Sequence, residues 1–287
     1  MTKGYQINRK EMEHVGNFGV ELELINVDIA MLINALRLKG IECIDEGYTH
    51  RTTSHWKLVG DSSIRCPNNR GYELVSPILT GTTGMMQLRE VCKALAFVDT
   101  DVNFSCGLHI HHQAPYNLTE QQKTNLMKFY ARLERTIDAF MPKSRKRNTS
   151  PFCRSMVQAY TSCAGYSNMA GLGRYYKLNF AALSRQNTLE FRQHAGSIDF
   201  EKIYHWICFT ASFIATCKDK TSTNAMNYIE RAWTPKHLKL QKRTWSYFKG
   251  RMKKLDDLDR SLQNVRADMG SLEHTMSAGD VRSLRIA

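Results

Sequence analysis

Two glutamates that could hold a cation lie close together near the start of the chain, Glu21 and Glu23. Segment 18–25 alternates apolar and polar side chains, which is typical of a half-buried strand, so both carboxylates share one face. Two carboxylates on one face repel each other unless a cation lies between them, and hard divalent cations prefer such oxygen ligands. A solvent-facing acidic strand gives the same pattern, so this pair alone does not predict a metal site.

Two histidines show the same spacing, His109 and His111 in the run Gly107-Leu108-His109-Ile110-His111-His112. They share one face of a predicted strand and could ligate a metal or contact phosphate and carboxylate groups. Gly107 indicates that another group approaches the backbone closely, because glycine has no side chain. The alternative is a row of polar side chains on the solvated side of a strand.

Segment 188–194 places Glu190, Arg192 and His194 on the predicted polar face of a further strand. A carboxylate beside a guanidinium is the arrangement needed where a metal meets a phosphate, since the glutamate can hold the cation and the arginine the anion. An ordinary surface ion pair has the same sequence pattern.

Glu73 lies in a mostly apolar predicted strand, where a charge usually has a partner. The preceding turn, Asp61-Ser62-Ser63, could bind a polar ligand, although an Asx-type turn is the simpler interpretation. If the four strands share a sheet, their polar faces converge on one surface. Four neighbouring carboxylates would be strongly unfavourable without cations, so we expect two or more divalent ions and a triphosphate there.

The elements that must position these residues follow from hydrophobic periodicity. The predicted strands are 18–25, 55–59, 71–78, 102–112, 174–183 and 188–194, and the predicted helices are 28–39, 82–98, 119–140 and 200–217. Thr119 is a suitable N-cap for the third helix, and Pro142 stops it. Short loops between neighbouring strands favour an α+β domain with a curved, mainly antiparallel sheet and helices packed on one face.

The pattern also divides the chain into three parts. We expect a polar N-terminal lead-in at 1–14, a catalytic domain at 15–232, and a basic helical C-terminal appendage with a frayed tail at 233–287. The net charge is +13, with basic clusters at 143–147 and 236–254. This excess indicates either an anionic partner, nucleic acid included, or simply a solvated basic surface.

Composition excludes several classes of protein. With 42% hydrophobic and 23% charged residues, the chain is expected to fold rather than remain disordered. The eight cysteines form no CxxC pair and no secretory signal precedes them, so we expect reduced thiols and a cytoplasmic protein. The longest apolar stretch, 203–217, is shorter than the ~20 residues that span a bilayer, so a buried helix and no membrane contact are expected.

With its motifs in this order along the chain, the sequence resembles the amidoligase family of carboxylate–amine ligases. That family is related in fold to glutamine synthetase and glutamate–cysteine ligase. The matching stretches are Phe18-Gly19-Val20-Glu21-Leu22-Glu23, Trp56-Lys57-Leu58-Val59-Gly60-Asp61-Ser62-Ser63, Glu73-Leu74-Val75-Ser76-Pro77, Gly107-Leu108-His109-Ile110-His111, Tyr176-Lys177-Leu178-Asn179 and Thr188-Leu189-Glu190-Phe191-Arg192. The resemblance covers about 15–217. The motif GT-x-D of the family appears here as Gly196-Ser197-Ile198-Asp199, a mild departure.

The resemblance implies a glutamine-synthetase-like catalytic domain that uses ATP and Mg²⁺ or Mn²⁺. It implies five metal ligands: Glu21, Glu23, Glu73, His109 and Glu190. It implies phosphate contact for Arg192. The further catalytic candidates are His111 and Asp61, and the further nucleotide-binding candidates are Arg174, Asn179 and Ser63.

The implied reaction joins a carboxylate to an amine through an acyl phosphate. Both substrates stay open, and either could be a peptide or a protein; the oligomeric state also stays open. Two alternatives remain: a metal-dependent hydrolase or phosphotransferase that uses the same side chains, and a nucleic-acid-binding protein that uses the basic region 236–254.

Overall fold

The computed structural model describes residues 5–47, 49, 51–67, 71–163, 173–220, 238 and 240–275, with the side chains of the last helix described as far as 261. The expected boundary at 232 and the frayed end of the tail lie outside the described residues.

Eight strands form one mixed, mostly antiparallel sheet. They are β1 (Asn17–Leu24), β2 (Cys43–Gly47), β3 (Trp56–Gly60), β4 (Tyr72–Val75), β5 (Leu79–Thr80), β6 (Gly107–Gln113), β7 (Leu178–Asn179) and β8 (Thr188–Ala195). The order is β2-β3-β4-β1-β6-β8-β7, and β5 pairs with β1. Within the described part of the chain, β2–β3 is the parallel pair and the other pairs are antiparallel. The strands that carry the candidate residues, β4, β1, β6 and β8, are therefore direct neighbours.

The helices are α1 (Ile29–Arg37), α2 (Gly81–Phe97), α3 (Glu120–Ala139), α4 (Met156–Cys163), α5 (Ala182–Gln186), α6 (Phe200–Cys217) and α7 (Lys242–Thr275). Thr119 caps α3 as expected, because its hydroxyl accepts a hydrogen bond from the Gln122 N–H while the Gln122 side chain accepts one from the Thr119 N–H. Gly40 follows α1 with a φ of +71°, a conformation that favours glycine.

The apolar face of the sheet packs against the helices in one continuous core. The strands contribute Val20, Leu22, Leu74, Leu108, Ile110, Leu189 and Phe191, and the helices contribute Leu88, Leu126, Tyr130, Trp206 and Phe213. Because side chains alternate along a strand, burying this face leaves the opposite face to the polar residues. The α+β class is confirmed, whereas the likeness to the glutamine synthetase domain stays a prediction.

Two sequence-based boundaries were wrong, and one strand was missed. The strand predicted at 102–112 begins only at Gly107, because Asn103 folds the preceding residues into a turn by accepting the N–H of Ser105. In the segment 174–183, the only residues in a strand are those of β7. The short helix α5 lies between β7 and β8. The sequence analysis also missed β2, since its mixed residues Cys-Ile-Asp-Glu-Gly show no alternation.

The predicted buried helix at 200–217 is confirmed as α6, and its side chains are buried along nearly its whole length. The segment predicted as a lead-in packs against it: the Asn8 N–H donates to the Tyr204 hydroxyl, and that hydroxyl donates to Glu11. Phe248 of α7 lies in the same core. Among the described residues, no helix is both long and apolar enough to cross a membrane.

Candidate functional site

The sheet brings the polar side chains of four neighbouring strands together. In the register, Glu23 lies opposite Glu73, Glu21 lies opposite His109, and His111 lies opposite Glu190. The loop after β3 adds Asp61. We call this group the carboxylate face; its members are Glu21, Glu23, Asp61, Glu73, His109, His111 and Glu190.

His109 lies at the centre of the carboxylate face, and its side chain is 4% exposed. Its Nδ1 is 3.0 Å from Glu21 Oε2, 3.7 Å from Glu190 Oε1 and 3.8 Å from Glu73 Oε1. Its Nε2 is 3.4 Å from Glu23 Oε1. One imidazole therefore has four carboxylates around it, each on the same side of the sheet.

His111 contacts both Glu21 of the carboxylate face and Thr188 at the start of β8. Its Nε2 lies 3.1 Å from Glu21 Oε1, and its Nδ1 lies 2.9 Å from the Thr188 hydroxyl. Burial lowers the pKa of His111, but the nearby charges of Glu21 and Glu190 outweigh it and raise the pKa above the usual value. His111 therefore carries a proton more readily than a free histidine and can donate a hydrogen bond to an anion.

The carboxylate of Glu190 is held from both sides. Arg192 Nη1 donates to Oε1, and Asn179 Nδ2 donates to Oε2 at 2.5 Å. Burial raises the pKa of Glu190, but the positive charges of Arg192, His111 and His109 together outweigh it and keep the pKa below the usual value. Burial lowers the pKa of Arg192, yet its carboxylate neighbours raise it overall. Glu190 is therefore ionised, and Asn179 acts by orienting it.

Glu73 has the opposite electrostatic environment. Burial raises its pKa well above the usual range, and the charges of Glu21, Glu23 and Asp61 add to this effect. Asp61 also forms the expected Asx turn, because its Oδ1 accepts the N–H of Ser63 at 2.7 Å. Burial likewise raises the pKa of Glu21, but both histidines bring it well below the usual range. Glu73 is thus the carboxylate that needs additional positive charge to ionise.

Three sets of side chains could each hold a metal ion, since the ligand atoms in each set lie within 4.8 Å of one another. They are Glu21–His111–Glu190, Glu21–Glu73–His109 and Glu23–Asp61–Glu73. The last set has only oxygen ligands, which suits Mg²⁺, and the imidazole-containing sets are also acceptable to Mn²⁺. The chemistry of the donors therefore fits two or more divalent ions.

Gly107 has the close approach expected from the sequence. A Cβ at this position would lie 2.8 Å from His109 Nε2 and 3.2 Å from Glu23 Oε1. The Gly107 N–H also donates to Glu23 Oε2 at 2.6 Å. The missing side chain thus makes room for two members of the carboxylate face.

Three further predicted residues have the following positions. Arg174 is exposed, and its guanidinium lies 5.2 Å from the centre of the Tyr175 ring. Ser63 contributes its backbone N–H to the Asx turn. The prediction that His194 lies on the polar face was wrong, because a register shift between β6 and β8 turns it towards Trp206, with the ring centres 5.5 Å apart.

The sequence analysis assigned no role to Lys57 or to Thr188, whose hydroxyl lies 2.9 Å from His111 Nδ1. Lys57 is 3% exposed and lies beside a cavity of about 310 Å³ that adjoins Glu21, Glu73 and His111. The available signal was a lysine within the apolar run Trp56–Val59, since a charge in such a strand needs a partner.

Comparison with models of known protein families gives a match. A family model described as "putative amidoligase enzyme" matches residues 15–169, a range that includes β1, β4, β6 and the Asp61 loop. The curated proteins contain no match to the chain. Because the family match covers more than half of the 287 residues, the protein belongs to the amidoligase family, a family of ligase-type enzymes.

Proposed function

We propose that the protein is an ATP-dependent ligase that joins a carboxylate to an amine with the help of Mg²⁺ or Mn²⁺. One observation carries this proposal: five carboxylates converge on one sheet face, and among the described residues Arg192 is the permanent cation that pairs with one of them. Such an excess of negative charge is expected where divalent ions and a polyphosphate bind together. The family match supports the ligase class.

The three sets of ligands on the carboxylate face would hold the metal ions, with Glu21 and Glu73 each shared between two sets. Bound divalent ions would supply Lewis-acid stabilisation of the charge on the phosphate oxygens. Glu190 is fixed by Asn179 and Arg192 on one side of this arrangement. Arg192 remains charged and therefore suits contact with a phosphoryl group.

The reaction would have two steps. An oxygen of the substrate carboxylate forms a bond to the γ-phosphorus of ATP, and the bond from that phosphorus to the ADP oxygen breaks. The amine nitrogen then forms a bond to the acyl carbon, the carbon–oxygen bond to phosphate breaks, and the amine proton passes to solvent. Arg192 would stabilise the transferring phosphoryl group, and His111 would help to hold a metal ion together with Glu21 and Glu190.

The proposal is tested first by binding of Mg-ATP, measured by isothermal titration calorimetry. The expected result is metal-dependent binding that Arg192→Ala weakens by about tenfold or more, since a charge-assisted hydrogen bond to phosphate is lost. Glu190→Ala should also weaken it. Arg37→Ala is the matched control, because this arginine is exposed at the end of α1 and donates to Asn34. Absence of nucleotide binding with both Mg²⁺ and Mn²⁺ would overturn the ligase proposal.

Turnover then separates the ligase from the hydrolase and phosphotransferase alternatives. A ligase releases ADP only when an acid is present, and hydroxylamine as a general amine should trap the acyl group as a hydroxamate. Turnover that needs no ATP would favour a hydrolase. A nucleic-acid partner for 236–254 stays a prediction; two arginines of this region are engaged within the chain, Arg243 with Glu11 and Arg251 with the Phe140 carbonyl.

A further inference from the structure

The cavity beside the carboxylate face has a size and lining suited to a small polar molecule. Its volume is about 310 Å³, which is within the range of sites for small organic ligands. It shares Glu21, Glu73 and His111 with the carboxylate face, so an occupant would reach the proposed reaction centre. The rest of the lining is rich in carboxamides: Asn17, Gln113, Gln186 and Asn187.

Lys57 is a buried cation in the wall of this cavity. It lies in one cross-strand row with Val75, Glu21 and His109, because Val75 is the partner of both Lys57 and Glu21. Its Nζ donates to the backbone carbonyls of Arg51 and Thr49. An ammonium has three donor hydrogens, so one remains for another acceptor.

Within the described part of the chain, this buried ammonium forms no ion pair. The described residues place no carboxylate within ion-pair distance of Lys57 Nζ, and its two acceptors are neutral carbonyls. A buried charge without an opposite charge is costly, so an anionic ligand would stabilise the site. Arg51 also lines the cavity, so the charged lining residues outside the carboxylate face are both cationic.

The position of Arg192 argues against the nucleotide as that ligand. β8 begins at Thr188, which lines the cavity, and Arg192 lies beyond Glu190 in the direction away from it. Arg192 is also close enough to Glu23 for that carboxylate to raise its pKa, and Glu23 contacts Gly107 at the far end of the carboxylate face. The proposed phosphate contact thus lies on the side of Glu190 away from Thr188, whereas Thr188 itself lines the cavity.

We infer that the cavity binds the carboxylate substrate and that Lys57 binds a second, non-reacting anionic group of that substrate. The substrate is then a dianionic acid, of which a dicarboxylate is the simplest kind. This inference rests on the proposed ligase function and adds to it the chemical class of the acid. One carboxylate reaches Glu21 and His111, where the reaction occurs, and the other pairs with the Lys57 ammonium.

The test compares acids that have the same chain length and differ by one carboxylate. Glutarate against valerate, and succinate against butyrate, are titrated by calorimetry into the full chain with Mg²⁺ and a non-hydrolysable ATP analogue. At least one dicarboxylate should bind about tenfold or more tightly than its partner, because it gains a charge-assisted contact. Lys57→Met should remove this preference; circular dichroism and Mg-ATP binding show whether the variant is folded.

A second variant tests the inference without altering a buried residue. Ile78 lines the cavity and is 65% exposed, so Ile78→Asp adds a negative charge there at little cost to folding. It should weaken dicarboxylate binding severalfold and affect the monocarboxylates much less. Phe97→Asp is the matched control, because Phe97 is 77% exposed at the end of α2 and does not line the cavity.

The outcomes separate this inference from the proposed function. Absence of Mg-ATP binding overturns the ligase proposal and the inference with it. If Mg-ATP binds but the dicarboxylates have no advantage, or if Lys57→Met and Ile78→Asp both keep that advantage, the inference alone is overturned.

Discussion

Two buried groups of charged side chains lie close together in this protein, and they balance their charge in different ways. One is the carboxylate face. The other, which we call the Lys177 network, joins Lys177 and Gln193 to three residues of α3: Tyr130, Glu134 and Asp138. Each combines carboxylates with nitrogen donors.

The Lys177 network is complete in itself. Glu134 Oε1 pairs with Lys177 Nζ at 2.9 Å, and its Oε2 accepts the N–H groups of Met156 and Val157. Asp138 Oδ1 accepts from Lys177 at 2.7 Å, and its Oδ2 accepts the N–H of Arg147. All four carboxylate oxygens therefore have a donor from this chain.

The carboxylate face has no such balance. It contains five carboxylates against Arg192 and two histidines, and the pKa of Glu73 is raised because burial and its acidic neighbours both disfavour its charge. Acidic residues alone are therefore a poor sign of a site, since both groups contain them. The informative feature is a carboxylate such as Glu73, whose charge its surroundings disfavour, whereas every carboxylate oxygen of the Lys177 network has a donor.

The largest expected effect comes from breaking the complete network. Lys177→Met removes the cation and leaves two buried carboxylates unpaired, so we expect the free energy of unfolding to fall by about 3–5 kcal/mol. Urea unfolding measures this loss. Lys93→Met is the control, because Lys93 pairs with Glu90 at the surface and should cost less than about 1 kcal/mol. Equal losses of stability in the two variants would show that the buried Lys177 network contributes no more than a surface ion pair.

Divalent ions should stabilise the carboxylate face and leave the Lys177 network unaffected. At an ion concentration about 100 times the dissociation constant, we expect unfolding to cost about 2.7 kcal/mol more than in chelator. Glu21→Gln should lose most of this gain, since Glu21 belongs to two of the three ligand sets. Thermal unfolding with EDTA, Mg²⁺ or Mn²⁺ measures it. An unchanged gain in Glu21→Gln would show that the ions bind elsewhere.

Gly107→Ala tests how closely the members of the carboxylate face are packed. The added methyl group would press on His109 Nε2 at 2.8 Å, so we expect a loss of about 1–3 kcal/mol in stability and weaker metal binding. Gly60→Ala is the matched control, because a Cβ there meets nothing within 4 Å and should change stability by less than about 0.5 kcal/mol. If both variants bind metal like the native chain, the close approach has no role in the site.

The stability of the protein also depends on pH through two buried histidines that belong to neither group, His194 and His205. Burial lowers the pKa of each to about 3, whereas an unfolded histidine titrates near 6.5. The contribution of these neutral histidines to the free energy of unfolding is fully present above about pH 6.5. It is lost as pH falls towards 3, since only the unfolded chain takes up the protons. We expect each histidine to lower the free energy of unfolding by about 1.4 kcal/mol per pH unit below 6.5.

Urea unfolding at pH 7.5 and 5.5 measures this slope, and His194→Gln should remove its share. A slope that His194→Gln leaves unchanged would mean that other groups cause it. The two charged groups are best compared at the higher pH, where these histidines contribute no difference.

Much of the fold was accessible from the sequence because its signals are local. Segment 18–25 alternates strictly, and Thr119 and Gly40 are helix-boundary residues whose effect depends on their own backbone. The missed strand β2 has no alternation, because it lies at the edge of the sheet and gains its place by pairing with β3. His194 was misplaced because a register shift is set by the partner strand and leaves no mark in the alternation of β8.

The sequence by itself determined which residues face away from the core, since the two-residue period of a strand places Glu21 with Glu23 and His109 with His111. It could not determine which strands are neighbours. Only the tertiary structure decided that Glu23 meets Glu73, that His111 meets Glu190, and that Asp61 joins them from a loop. The reason is physical: strand order and register follow from burying the whole apolar face at once, a condition on the entire chain.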